Sequence, residues 1–408
     1  MLREVACTPV RITGVEALGG PWAPVERVCL DGVCPGIGAS VVVKTRRHQE
    51  TGWGGDPANL RTERRSLTYL RTAGLDVAPE VLAFDEQVGV LVMRDLAPAR
   101  SVEWMLFHAN EDLATSALVA LDARVASMHA ATGSIGPDVW NAAASFMNGL
   151  DGPWEILATG AQTLGFPDAS VATPDVARVA EALSDPRWRT FTHGDLTPAN
   201  ALLSDGCARL IDFEGAGPRH AFLDAANLVL PFPAYGYWAD LPRTVVTSME
   251  AAYRGELVKG LPLAADDLAY GRAMATGAAA WAILRLSRLG LIATGNQNRD
   301  EAVRRRSQIV QTVESCVRIA ERTHAFPALM GWLTSMVGEM RRRWPEANVT
   351  PRRYPAFGSE PWTKAPDVPA TPGSLDRPER GHCFRGARRR RGSAACSPLR
   401  YQAPCTSL

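Results

Sequence analysis

The stretch Phe191-Thr192-His193-Gly194-Asp195-Leu196-Thr197-Pro198-Ala199-Asn200, followed by Leu210-Ile211-Asp212-Phe213-Glu214, decides how this chain is read. Arg189 to Thr192, Ala201 to Ser204 and Ala208 to Phe213 read as short strands, and Asp205-Gly206 between the last two is a hairpin-turn signal that accounts for Asp205 by itself. Asp195, Asn200 and Asp212 are thereby carried by strand ends on one small hairpin unit. Asp and Asn are poor strand formers, and gathering them beside His193 among apolar runs costs stability unless a ligand or metal offsets it. Phosphoryl transfer needs such a set: an in-line hydroxyl, a carboxylate to accept its proton, and cations to neutralise triphosphate oxygens. Asn200 and Asp212 are hard oxygen donors suited to Mg2+, and Asp195 is placed to orient a hydroxyl and take its proton.

Upstream, the first ninety or so residues read as strands with one helix inserted. Val25 to Leu30 and Ser40 to Lys44 flank the Gly-Pro-rich Asp31 to Gly38, which predicts a hairpin with a long loop. Thr51 to Pro57 is glycine-rich and loop-like. Asn59 to Ala73 carries Leu60, Leu67 and Leu70 near one helical face and stops at Gly74; Val81 to Phe84 and Val88 to Met93 are strand-like again. From about Ser101 the period turns helical: Leu113, Ala117, Leu121, Val125 and Met128 mark one helix ending near Gly133. Helices resume over Asp267 to Leu289, Asp300 to Thr323 and Phe326 to Trp344. His129, on an otherwise apolar face, reads as a satisfied buried histidine.

His193-Gly194-Asp195 with Asn200, together with Ile211-Asp212-Phe213-Glu214, resembles the aminoglycoside phosphotransferase and choline kinase family, in which Gly replaces the Arg of protein kinases. The likeness extends outward: Val41-Val42-Val43-Lys44 resembles the family's third-strand lysine, Thr62 to Leu70 its partner helix, Leu91 to Leu96 its strand into the adenine-holding hinge, and Met128-His129-Ala130 its rear-lobe helix. The resemblance implies an α+β, two-lobed protein-kinase-like fold, with a strand-rich N-lobe over residues 1–95 and a helical C-lobe over 96–345, and composition adds a disordered basic tail over 346–408. It further implies that Lys44 binds the α- and β-phosphates of ATP or GTP, that Glu63 aims Lys44, and that the backbone of Met93, Arg94, Asp95 and Leu96 holds the base. His193 would brace the loop, and Asp224 would fix the helix that follows. The phosphate-covering hairpin falls near Gly14 to Pro24, where Gly14, Gly19, Gly20 and Pro21 give only a loose glycine pattern.

The reaction so implied is transfer of a γ-phosphoryl group to an alcohol group of a small acceptor, an antibiotic or related metabolite; a non-catalytic nucleotide-binding regulator is the alternative, though no anchor residue is lost. Acceptor contacts are expected from Phe232 to Asp240 and the helices after it. Those helices carry Arg285, Arg288, Arg304, Arg305, Arg306, Arg341, Arg342 and Arg343, which weakens a polycationic acceptor and keeps a neutral or anionic one in play, while Asp240, Asp266 and Asp267 leave a cationic one open. The 408 residues are 46% hydrophobic and 21% charged with a net charge of +1, enough apolar material for two cores and no overall bias toward nucleic acid or membrane. Neither a signal peptide nor a membrane span is legible, so a cytoplasmic protein is expected. The 8 cysteines form no ligand pattern and read as reduced thiols. Beyond Trp344 the chain turns to Pro, Arg, Gly and Ser, including Arg388 to Arg391, the composition of a solvated tail.

Overall fold

The β-branched runs near the N-terminus form a five-stranded antiparallel sheet in the computed structural model, which describes residues 10–18, 24–45, 57–133, 149–294, 299–348 and 351–358. Its strands are β1 (Ile12–Ala17), β2 (Val25–Cys34), β3 (Gly38–Thr45), β4 (Val81–Asp85) and β5 (Val90–Arg94), in the spatial order β1-β2-β3-β5-β4. The first hairpin is longer than the sequence predicts, because Cys34 pairs with Gly38 and the turn shrinks to residues 35–37. Residues 31–34 therefore continue β2 rather than forming a loop, and Cys29 and Cys34 sit along the same strand as free thiols. Helix α1 (Pro57–Thr72) packs Leu60, Leu67 and Leu70 into the core and ends before Gly74, where Leu75 N–H donates back to Leu70 O at 2.9 Å. Gly19 to Pro21 and Thr51 to Asp56 lie outside the described residues.

The remainder is mostly helical. It opens with β6 (Arg100–Ser101), α2 (Val102–His108) and α3 (Glu111–Ala131). Ser101 and Asn110 start the two helices by accepting from Trp104 N–H and Leu113 N–H. Along α3, Ala117, Leu121, Val125 and Met128 are fully buried, whereas Leu113 is exposed. Then come α4 (Asp151–Thr163), α5 (Thr173–Leu183), β7 (Arg189–Thr192), β8 (Ala201–Ser204), β9 (Cys207–Leu210), β10 (Gly217–His220), α6 (Phe222–Val229) and α7 (Arg243–Leu257). Helices α8 (Asp267–Leu286), α9 (Leu289–Thr294), α10 (Arg299–Glu321) and α11 (Pro327–Arg343) complete it. Two small sheets, β6-β8-β9 and β7-β10, are set into this helical body. Helices α4, α5 and α7 have no counterpart in the sequence reading, and α6 enters it only as the helix that Asp224 would fix. Every residue of α6 is buried, so it shows no polar face to reveal a 3.6-residue period.

The helices approach closely where side chains are small. A Cβ on Gly277 of α8 would lie 2.0 Å from the Phe222 carbonyl oxygen, so α8 seats on α6 only because that position is glycine. One turn on, Trp281 Nε1 donates to Leu223 O at 2.7 Å and fixes the crossing.

The tail starts later than composition implies. Asp240 N–H donates to Arg352 O at 2.8 Å, and Tyr354 is fully buried with its ring edge-on to Phe107 at 5.6 Å. One aromatic anchor overrides the Pro- and Arg-rich surroundings, and the packed chain runs at least to Gly358. Residues 359–408, with Arg388 to Arg391, lie outside those described. No helix among the described residues is long and apolar enough to cross a membrane.

Candidate active site

Lys44 is on β3, paired with Leu91 of β5, so its side chain leaves the sheet from a rigid position. Its Nζ meets Glu63 Oε2 at 2.6 Å, Asp212 Oδ1 at 2.5 Å and Glu214 Oε2 at 3.1 Å. Desolvation opposes the ammonium, but the three carboxylates outweigh it and hold Lys44 protonated well above its ordinary range. Burial pushes the Glu63 carboxyl up to about 7 against the pull of Lys44. Glu63 is 1% exposed on α1, so it is not an ordinary surface helix residue.

The segment that opened the sequence reading is held by the two small sheets. Strand β7 stops at Thr192, β8 begins directly after Asn200, and β9 stops just before Asp212. Asp195 is exposed to solvent at its residue surface while protein crowds its carboxyl, and that desolvation first, then Asp212 and Glu214, push the carboxyl upward. Asn200 Nδ2 donates to the Asp195 carbonyl at 2.9 Å and touches its carboxylate at 3.4 Å, which turns the Asn200 amide oxygen away from Asp195. Asp212 sits at φ 68°, ψ 56°, a left-handed conformation that a residue other than glycine adopts at a cost. Three carboxylates, Glu63, Asp212 and Glu214, thus contact one ammonium, and Asp195 lies within electrostatic reach of it. That surplus of negative charge, together with the oxygen donors of Asn200 and Asp212, fits a hard divalent cation.

Behind this cleft is a buried polar chain that the sequence did not disclose. Asp224 Oδ2 accepts from His193 N–H at 2.7 Å and Oδ1 from Gly194 N–H at 3.3 Å. His129 Nε2 approaches Asp224 at 3.3 Å while its Nδ1 lies 2.8 Å from the Tyr253 hydroxyl. Burial works against ionisation of Asp224, but the bonds from His129 and His193 keep it below the usual carboxylate range. Asp224 therefore fastens the loop before Asp195, more than the helix it starts. His129 is the satisfied buried histidine that its sequence predicts, and its partner is this loop anchor. Asn227, also on α6, donates to Leu196 O at 2.6 Å, so α6 grips both sides of Asp195. His193 Nε2 lies 2.8 Å from Ile211 O, its Nδ1 accepts from Asp195 N–H at 3.3 Å, and its ring packs on Phe213 at 4.4 Å. Gly194, at φ +82°, faces Gly215 so closely that a Cβ there would lie 2.2 Å from the Gly215 oxygen.

Met93 and Arg94 close β5, and Asp95 and Leu96 leave it. The Arg94 side chain is engaged by Glu80 and the Gly36 carbonyl. Asp95 accepts from Arg27 and Ser40, both at 2.6 Å, so the Arg94 and Asp95 side chains are both engaged within the protein. The aromatic loop is largely structural: Phe232, Tyr235 and Trp238 are buried, the Tyr235 hydroxyl bonds Glu103, and Tyr237 is the exposed ring. Several of the arginines are likewise committed, Arg306 to Glu346, Arg341 to Glu314, and Arg342 and Arg343 to Glu339.

The sequence model of a phosphotransferase enzyme family matches residues 36–262, a span that holds β3, α1, the Asp195 loop and α6. The chain belongs to the phosphotransferase enzyme family. It is a phosphotransferase with an alcohol group as acceptor, on the two-part protein-kinase-like fold that the resemblance implies. A choline/ethanolamine kinase family protein from Mesorhizobium loti is similar in structure at 18% identity and TM-score 0.48, over 79% of this chain and 92% of that one. A choline kinase from Cryptosporidium parvum Iowa II gives 11% identity and TM-score 0.49, over 80% and 93%. A macrolide 2′-phosphotransferase from Brachybacterium faecium gives 17% and 0.44, over 76% and 96%. No curated protein matches the chain significantly.

Proposed function

We propose that this phosphotransferase moves the γ-phosphoryl group of ATP or GTP onto a hydroxyl of a small metabolite, the class that includes antibiotics, with Asp195 as the catalytic base. The observation that carries this reading is geometric: the exposed Asp195 carboxylate lies 3.4 Å from the Asn200 amide, on the loop whose neighbour brings Asp212 and Glu214 onto Lys44. A carboxylate so placed can accept a hydroxyl proton.

In this reading Asp195 orients the acceptor hydroxyl and takes its proton as the oxygen bonds to the γ-phosphorus and the bond to the bridging oxygen breaks, releasing the nucleoside diphosphate. Lys44 lies against the α- and β-phosphates, and Glu63 aims it. The backbone of Met93 to Leu96 holds the base. His193 braces the loop through the Ile211 carbonyl and the Asp195 amide. Asn200 and Asp212, with Glu214 nearby, would hold Mg2+. When bound, that ion neutralises phosphate oxygens and relieves the crowding of carboxylates that raises Asp195.

The test is acceptor-dependent release of ADP or GDP across aminoglycosides, nucleosides, choline and homoserine, wild type beside Asp195→Asn. The variant is expected to lose about 10²- to 10⁴-fold in kcat while still binding nucleotide. Equal turnover by both proteins would remove Asp195 from the chemistry.

A further inference from the structure

A charged cluster lies where the sheet roofs the cleft. Successive residues of a strand face opposite sides, so Ser40, Val42 and Lys44 of β3 share one face, and the contacts of Lys44 mark it as the cleft face. Cα pairing carries that face across the sheet in the row Glu16–Arg27–Val42–Met93. The opposite face holds a separate small core that includes Val28, Leu30, Val41 and Val92. Arg27 is thus a cation on the cleft side of the roof, buried beside the segment that leaves β5.

Its bonds join β1, β2 and β3 to that segment. Arg27 Nε donates to Asp95 Oδ2 at 2.6 Å and Nη2 to Oδ1 at 3.3 Å, while Nη1 donates to Glu16 Oε2 at 3.1 Å. The Asp95 carboxylate also accepts from Ser40 Oγ at 2.6 Å and from Ala97 N–H at 3.0 Å. One carboxylate therefore fixes the path of residues 95–97 against two strands. Burial opposes the charge on Asp95, but the bonds from Arg27, Ser40 and Ala97 outweigh it and hold the carboxyl below its ordinary range. A buried ion pair contributes about as much to stability as a well-packed apolar pair of similar volume, so stability alone does not account for this one. What a forked, bidentate pair does supply is fixed geometry.

We propose that Arg27 is a positioning residue for the nucleotide base: through Asp95 it sets the backbone of Met93 to Leu96 against the sheet, and through Glu16 it ties the β1–β2 hairpin to that segment. This rests on the reading that Met93 to Leu96 holds the base. A segment fixed before the base arrives loses less freedom on binding, so the cluster acts chiefly on nucleotide affinity.

The experiment measures binding of ATP, GTP and inorganic tripolyphosphate, each with Mg2+ and without acceptor, to the full-length protein by calorimetry. Arg27→Met combined with Asp95→Asn removes both charges and strands neither. In that variant the Kd of the tighter-binding nucleotide is expected to rise about tenfold to a hundredfold, with the tripolyphosphate Kd within about threefold of wild type. Arg27→Lys, which keeps the charge but not the fork, gives a smaller rise of the same kind. With an acceptor present, the KM for nucleotide rises by a larger factor than kcat falls. An unchanged nucleotide Kd, or an equal loss for nucleotide and tripolyphosphate, would overturn the proposal. If the double variant does not fold, Arg27→Lys decides by the same two comparisons. Failure of the phosphotransfer reading looks different: wild type would then bind nucleotide without acceptor-dependent release of diphosphate, and the binding comparison still decides the role of Arg27. Wild type that binds tripolyphosphate as tightly as both nucleotides would show that no base is held, and the proposal falls with that reading.

Discussion

Replacing Gly194 by Ala tests the idea that the Asp195 loop and the Asp212 loop are held at one fixed separation. The new Cβ would lie 2.2 Å from the Gly215 oxygen and 2.9 Å from its carbonyl carbon, so the two backbones must part by about 0.8 Å to reach even 3.0 Å. Position 194 also sits at φ +82°, where a side chain adds about 1–2 kcal/mol of strain. Gly215 closes the short turn that begins after Asp212 and contains Glu214, and Gly194 adjoins Asp195, so the movement separates the base from the carboxylate cluster. A misplacement near 1 Å at a reacting centre costs about 10²-fold in rate. Gly194→Ala is therefore expected to lower kcat about a hundredfold, with a nucleotide Kd within about threefold of wild type and a melting temperature reduced by several degrees. The assay is acceptor-dependent diphosphate release well below that melting temperature, beside nucleotide binding by calorimetry. Wild-type kcat and unchanged melting would refute the reasoning. The same contact explains why glycine, and not the arginine of protein kinases, stands between His193 and Asp195 here.

Two further predictions concern buried charge. Both carboxyl oxygens of Asp122, fully buried on α3, lack hydrogen bonds, and burial with Glu250 nearby raises its pKa well above the ordinary value. Because the folded state must keep this group protonated, its penalty grows as pH rises above about 4. Asp122→Ala should gain about 1–3 kcal/mol near pH 8 and less near pH 4, read from urea midpoints; a loss of stability at both would count against the assignment. His220 is the opposite case, since burial first pulls its pKa down to about 3. A neutral buried histidine contributes fully above about pH 6.5 and loses its contribution as pH falls toward 3, a loss on the order of 5 kcal/mol. His220→Gln should flatten that acid limb, and an unchanged pH profile would show that His220 is not its source.

The parts of the site that were legible in the sequence were the ones carried by local pattern. Asp195, Asn200 and Asp212 stand out because they interrupt short apolar runs at strand ends, and the structure brings them together with Lys44 and Glu63. The contact of Glu214 with Lys44 was not foreseen, because it joins residues 170 apart in the chain. The His129–Asp224–Tyr253 chain was hidden for a similar reason: it is defined by what surrounds it in space and breaks no periodic pattern. The aromatic loop misled in the other direction. Phe232, Tyr235 and Trp238 look like a ligand surface in sequence, yet their burial against Glu103 and the helices makes them part of the core. The tail boundary failed because composition averages over a window: Tyr354 against Phe107 and Glu346 against Arg306 hold the described residues 345–348 and 351–358 to the body.

That tyrosine also sets an order of events during synthesis. Phe107 and the Glu103–Tyr235 pair belong to helices and loops made early, but Tyr354, which covers Phe107, is among the last of the described residues to leave the ribosome. Until it emerges, the wall beneath α2 stays open to water and to chaperones, so the rear body cannot close progressively from its N-terminal side. A nascent chain stalled after Trp344 would carry every residue of the proposed transfer site and still lack the ring that covers Phe107.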